Sequence, residues 1–162
     1  MDTSLTTLFS VEQTPEQAFA AITDVRRWWS GEIEGDTHRL GAEFTYAVPG
    51  IHYSKFRITE LAPARRVAWL VLESSLSFIA DTEEWTGTTV VFDIDERDGR
   101  THVRFTHEGL RPQHECYGVC AHAWGEYVNG SLRSLIETGA GRPNSFEGEE
   151  ALEVARAASD VH

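Results

Sequence analysis

The sequence predicts an α+β fold in which a curved antiparallel sheet closes on one long C-terminal helix. Three observations predict it. Val90, Phe92 and Ile94 alternate with polar neighbours, and Val103, Phe105 and His107 repeat the pattern after a turn signal at Asp98-Gly99. A period of two with one dry face and one wet face is a half-buried hairpin. Downstream, Tyr117, Cys120, Trp124, Val128, Leu132 and Leu135 share one side of a helix. Upstream, the apolar runs are strand-like and broken by turn residues, so only the terminal helix is long enough to fill the concave face of the sheet.

Taken in order, the first strand is predicted over Leu5 to Glu12. Thr14, Pro15 and Gln17 then carry the spacing of a capping box with proline at the first helical position. Phe19, Ile22 and Val25 give that helix a short apolar face, and Trp28-Trp29 before Gly31 predicts a second short helix and a turn. Phe44, Tyr46 and Val48 alternate with Glu43, Thr45 and Ala47 up to the Pro49-Gly50 turn. Phe56 and Ile58 continue the sheet to Leu61, Pro63 breaks it, and Arg65 to Leu72 resumes it. That strand is apolar on both faces, through Val67, Trp69 and Val71 and through Ala68, Leu70 and Leu72. It belongs either at the centre of the sheet or against another subunit. Glu73 to Thr88 fits a short strand or a loop over the mouth of a cavity. The long helix is predicted from near His114 to a glycine terminator at Gly139. Residues 1–140 then form one domain. Residues 141–162 form a tail, with one more short helix expected over Phe146 to Ala158.

Composition narrows the function classes. A chain of 162 residues with 41% apolar content suits one domain with a real core. Its net charge of −12 repels phosphate backbones and anionic lipid. Nucleic-acid and membrane partners are therefore not expected. No run approaches the roughly 20 apolar residues of a membrane span. Met1-Asp2-Thr3-Ser4 lacks the features of a signal peptide, and the 2 cysteines read as reduced thiols, so the expected location is cytoplasmic.

Few residues carry obvious chemistry. His114, Glu115, Cys116, Cys120 and His122 invite a metal reading. Cys116 and Cys120 share a helix face, but His114 and His122 point away from it, which makes a closed tetrahedral site awkward. No metal or other cofactor is expected. No G-x-S-x-G elbow or phosphate loop is present. Gly118 and Gly125 are unusual within a helix. They serve either close packing on the sheet or room for a ligand. His107 ends a dry strand face as a satisfied core histidine, a polar anchor or a general base. The aromatic inventory is the stronger signal. Trp28, Phe44, Tyr46 and Trp69 from the first half converge with Phe92, Phe105, Tyr117, Trp124 and Tyr127 from the second. Rings with few polar tips suit either an aromatic core or a mostly apolar site.

Several blocks carry a family resemblance. Thr59-Glu60-Leu61-Ala62-Pro63-Ala64-Arg65-Arg66-Val67 resembles the strand–proline–strand signature of the SRPBCC (START/Bet v 1-like) superfamily, in the branch of the Hsp90-ATPase activator C-terminal domain. Glu84-Trp85-Thr86-Gly87-Thr88 and Thr106-His107-Glu108-Gly109-Leu110 are similar to two further blocks of that branch. Glu115-Cys116-Tyr117 with Cys120, Trp124, Tyr127, Ser131-Leu132 and Thr138-Gly139 resembles a bacterial subgroup of undefined function. The resemblance runs from about Leu5 to Pro143. It implies a helix-grip (Bet v 1-like) fold with a deep cavity, in a superfamily whose members bind lipids, sterols, polyketides or other hydrophobic molecules. Some members are cyclases, hydrolases or self-sacrificing resistance proteins.

Three functions follow, in order of expectation. The first is binding of a small hydrophobic or aromatic ligand by Trp28, Phe44, Tyr46, Trp69, Phe92, Phe105, His107, Tyr117, Trp124 and Tyr127. The second is a cyclase- or hydrolase-type enzyme using His107. The third is a protein-interaction module, chaperone-linked or homodimeric.

Overall fold

A computed structural model of the chain describes residues 4–29, 33–48, 52–76, 85–111 and 117–143. The tail helix expected over Phe146 to Ala158 lies outside them, as do His114, Glu115, Cys116 and most of the ambiguous stretch after Leu76.

Seven strands form one antiparallel sheet. In chain order they are β1 (Leu5–Val11), β2 (Glu34–Gly35), β3 (Glu43–Val48), β4 (His52–Ala62), β5 (Arg66–Leu76), β6 (Thr89–Arg97) and β7 (Arg100–Glu108). Their order across the sheet is β1-β7-β6-β5-β4-β3-β2, which makes β5 the middle strand. On its inner face Val67, Trp69 and Val71 are buried; on its outer face Ala68 is buried, while Leu70 and Leu72 are half-buried.

Local chemistry sets the turns. Asp98 and Gly99 take φ of 55° and 75°, the pair of left-handed residues that lets a two-residue loop match the twist of its strands. The register of β4 on β5 shifts between Lys55 and Phe56 and again between Ile58 and Glu60. Such bulges bend a strand and help the sheet curl.

Helix α1 (Pro15–Thr23) follows β1. Its capping box is complete: the Gln17 amide donates to Thr14 Oγ1 at 3.2 Å, and the Thr14 amide donates to Gln17 Oε1 at 2.9 Å. Thr14→Ala removes half of that exchange and is expected to cost about 1 kcal/mol in chemical denaturation. A loss below a few tenths would show that packing alone holds the helix start. A 3-10 turn (Val25–Arg27) then delivers Trp28 and Trp29 into the interior.

The long helix spans 117–138 without a break, but it is not α-helical throughout. It begins as α2 (Tyr117–Trp124), becomes a π-helix over Gly125–Leu132, and ends as α3 (Arg133–Thr138). The sequence pattern misses this change, because widening the turn leaves the buried side almost intact. Trp124, Tyr127, Val128, Ser131, Leu132, Leu135 and Ile136 all face inward, and His122, Glu126, Arg133 and Glu137 face water. Gly139 ends the helix in the left-handed region, its amide bonded to the Leu135 carbonyl at 2.9 Å.

Candidate functional site

Strand pairing assembles the concave face row by row. Ile58 lies opposite Trp69, Trp69 opposite Val90, Val90 opposite His107, and His107 opposite Leu5. A neighbouring row runs Val67, Phe92, Phe105, and Phe44 lies opposite Phe56. The α1 side and the long helix cover these rows, and nearly every side chain in them is buried.

Trp69 is the hub. Its ring packs on Trp28 and Trp29 in near-parallel stacks at 6.5 and 6.2 Å, and meets Phe44, Phe56 and Phe92 edge-on at 5.0 to 5.8 Å. Trp29 links it to the helix through Trp124, 4.9 Å away, and Trp124 stacks on Trp85 at 5.7 Å. Phe105 completes the floor, 5.2 Å from Phe92 and 4.7 Å from Trp124.

One end of this aromatic face is polar. Tyr46 lies opposite Ser54 and Ser54 opposite Ser74, all three buried. His52 points to the same face as Ser54, two residues on, and their side chains meet at 2.7 Å. The His52 ring sits edge-on between Tyr46 at 5.0 Å and Trp85 at 4.7 Å. The residue is half-buried, with its ring flanked by these two aromatic side chains. Burial drives its pKa from 6.5 down to about 3, so the ring is neutral at physiological pH. Ser74 bonds Thr86 at 3.1 Å.

His107 is fully buried beside that end and is tied on both ring nitrogens. Trp124 Nε1 donates to Nδ1 at 3.2 Å, and Nε2 lies 2.7 Å from Thr88 Oγ1. An indole N–H can only donate, so Nδ1 accepts. Nε2 then carries the proton and donates to Thr88, whose hydroxyl donates onward to the Trp85 carbonyl. The arrangement holds a neutral histidine in one tautomer.

Two indoles are not so provided. Trp28 Nε1 donates to the Ile22 carbonyl at 3.1 Å. Among the described residues, Trp69 Nε1 and Trp85 Nε1 are buried with no acceptor.

Of the aromatic and histidine positions named from sequence, Trp28, Phe44, Tyr46, Trp69, Phe92, Phe105, His107 and Trp124 lie in this one network of ring contacts. Tyr127 is buried on the π-helical segment. Tyr117 opens the helix, and its side chain lies outside what is described. Trp29, Trp85, His52, Ser54 and Thr88 were not among the expected site residues. For His52 and Ser54 the signal was the period of two, carried back from Ile58 and Phe56 into polar residues. Among the described residues no cluster of three or more His, Cys, Asp and Glu is placed to hold a metal. Cys120 is a buried free thiol.

The helix glycines are not explained by tight packing: a Cβ built on Gly118 or Gly125 meets nothing within 4 Å.

A curved seven-stranded sheet wrapped on a terminal helix, with α1 at its side, defines a helix-grip protein of the SRPBCC type. The chain belongs to the family described as activator of Hsp90 ATPase homolog 1-like protein, whose model matches residues 12–137. The fold is similar to that of the Aha1 dimer from Colwellia psychrerythraea, with a TM-score of 0.68 and 22% identity over 85% of this chain and 98% of that one. It is also similar to CalU16 from Micromonospora echinospora (TM-score 0.60, 17% identity, 96% and 83% of the two chains). A Bacillus halodurans protein solved in solution gives a TM-score of 0.62 at 15% identity, over 85% and 100% of the two chains. No curated protein matches the sequence. Among the described residues no helix is long and apolar enough to cross a membrane.

Proposed function

We propose that the protein binds a small hydrophobic or aromatic ligand between the concave face of the sheet and the long helix. The observation that carries this reading is the polar end of the aromatic face. A core needs no histidine or serine, yet Tyr46, His52, Ser54 and Ser74 converge there from three adjacent strands. Polar groups placed at one end of an otherwise apolar interior are what orient a ligand in such sites. The π-helical run of the covering helix fits the same reading, since local π geometry recurs at functional sites. His107 serves as a fixed polar wall of the site, because both of its nitrogens are held by protein groups.

Native mass spectrometry of the purified protein, with Nile red as a neutral apolar probe, tests this. A non-covalent adduct or saturable probe binding is expected, and Ser54→Phe, which fills the polar end, is expected to abolish it. Bare protein that leaves the probe unbound would refute the reading.

Self-association is a second reading. A relative of similar fold was solved as a dimer. Leu8, on the outer face of edge strand β1, is 51% exposed. The same spectra report the subunit count, and a monomer at micromolar concentration would set this reading aside.

A further inference from the structure

The unpartnered indole donors narrow the chemistry of the ligand. A buried N–H without an acceptor costs about 1–3 kcal/mol, so nearly all such groups in folded proteins have a partner. Here two coexist in one interior, Trp69 Nε1 on the central strand and Trp85 Nε1 at the polar end. Both side chains are essentially inaccessible: Trp69 is 0% and Trp85 3% exposed. Trp69 stacks on Trp29 and Trp85 on Trp124, and Trp29 and Trp124 meet at a tilt between them. Trp28 and Trp124 show that this fold satisfies indoles where it has acceptors to offer.

The charge of the interior is equally informative. No Lys, Arg, Asp or Glu is buried among the described residues. The arginines and lysines of the middle strands pair on the outer face, as Arg57 and Lys55 with Glu43 and Arg66 with Asp93 and Glu60. A carboxylate or phosphate entering the site would be desolvated without a counter-charge. His52 stays neutral at physiological pH and supplies none.

We infer that the site selects neutral molecules bearing a ketone-type oxygen that accepts from Trp85, with a second acceptor position at Trp69. This rests on the ligand-binding reading and adds the acceptor and the neutrality to it.

Three probes of nearly one shape separate these properties. Fluorene has no acceptor, fluorenone carries one carbonyl, and fluorene carboxylate carries a negative charge. Affinities are measured by calorimetry on the full chain. Indole N–H resonances are followed with 15N-labelled tryptophan and assigned through single Trp→Phe variants.

Fluorenone is expected to bind about tenfold tighter than fluorene, the ratio one buried hydrogen bond supplies. The carboxylate is expected to bind weakest. In the wild-type protein the Trp85 indole proton should move downfield with fluorenone and stay put with fluorene. Trp85→Phe should erase the fluorenone preference, leaving fluorenone and fluorene with equal affinities in that variant. Equal affinity of fluorene and fluorenone, or an unmoved Trp85 resonance, would overturn the acceptor inference while ligand binding stood. Tightest binding of the carboxylate would overturn neutrality. If no probe binds and both indole protons show contact with water alone, the ligand-binding reading falls as well. The wild-type spectra decide the matter even if Trp85→Phe fails to fold.

Discussion

Trp69→Ala is expected to destabilise the protein by about 3–5 kcal/mol, as for other large aromatic truncations in cores. Trp69 touches five aromatic rings drawn from the turn after α1, from β3, β4 and β6. Removing it leaves a void at the middle of the sheet that stiff neighbouring rings fill poorly. Urea unfolding followed by circular dichroism measures the loss. Trp69→Phe is the informative companion. It retains much of the packing and removes an N–H that has no acceptor, so its cost should be small. Trp124→Phe makes the same chemical change where the N–H is used, by His107 Nδ1. It should be the less stable of the two by about 2 kcal/mol, since it strands a buried acceptor. Equal stabilities for the two phenylalanine variants would show that the two indole N–H groups do not differ in this way.

Acidification is expected to weaken the fold well before its carboxylates titrate. His52 has a folded pKa of about 3 against 6.5 when unfolded. Between those values the unfolded chain binds more protons than the folded one, so stability falls as pH falls through that window. The slope approaches 1.36 kcal/mol per pH unit, which makes the loss at pH 4.5 about 2–3 kcal/mol. His52→Gln removes the titrating ring, and its stability curve should be flatter between pH 6 and 4.5. Parallel curves for variant and parent would show that water reaches the His52 ring. Glu43 does not confuse the test. Its hydrogen bonds to Arg57 and Lys55 hold its pKa below 4.5, so its contribution is lost only at lower pH.

The sheet-and-helix plan was legible because period-two and period-four hydrophobicity survive any detail of geometry. Phe92 and Phe105, or Trp124 and Val128, must face the same interior whether the elements are ideal or bent. The glycine and proline signals were equally readable, since Asp98-Gly99 and Gly139 need backbone conformations that few other residues supply cheaply. The site was only partly legible. An inward aromatic announces itself by its spacing, whereas an inward His52 or Ser54 looks like the end of a strand. The apolar period stops where the polar end begins, so the first strand residues of β4 dropped out of view. Trp85 carried no periodicity, because it sits in a turn and reaches the interior only through the folding of β5 against β6.

The sequence by itself determined an aromatic interior gripped between a curved sheet and one long helix, with charge confined to the outside. That much follows from which residues avoid water and at what interval. Only the tertiary structure decided which donors in that interior find acceptors, because a hydrogen bond depends on positions to within an ångström and not on a pattern. Pairing satisfied Trp28 and Trp124, placed His107 between an indole and a threonine, and left Trp69 and Trp85 with their N–H groups unspent.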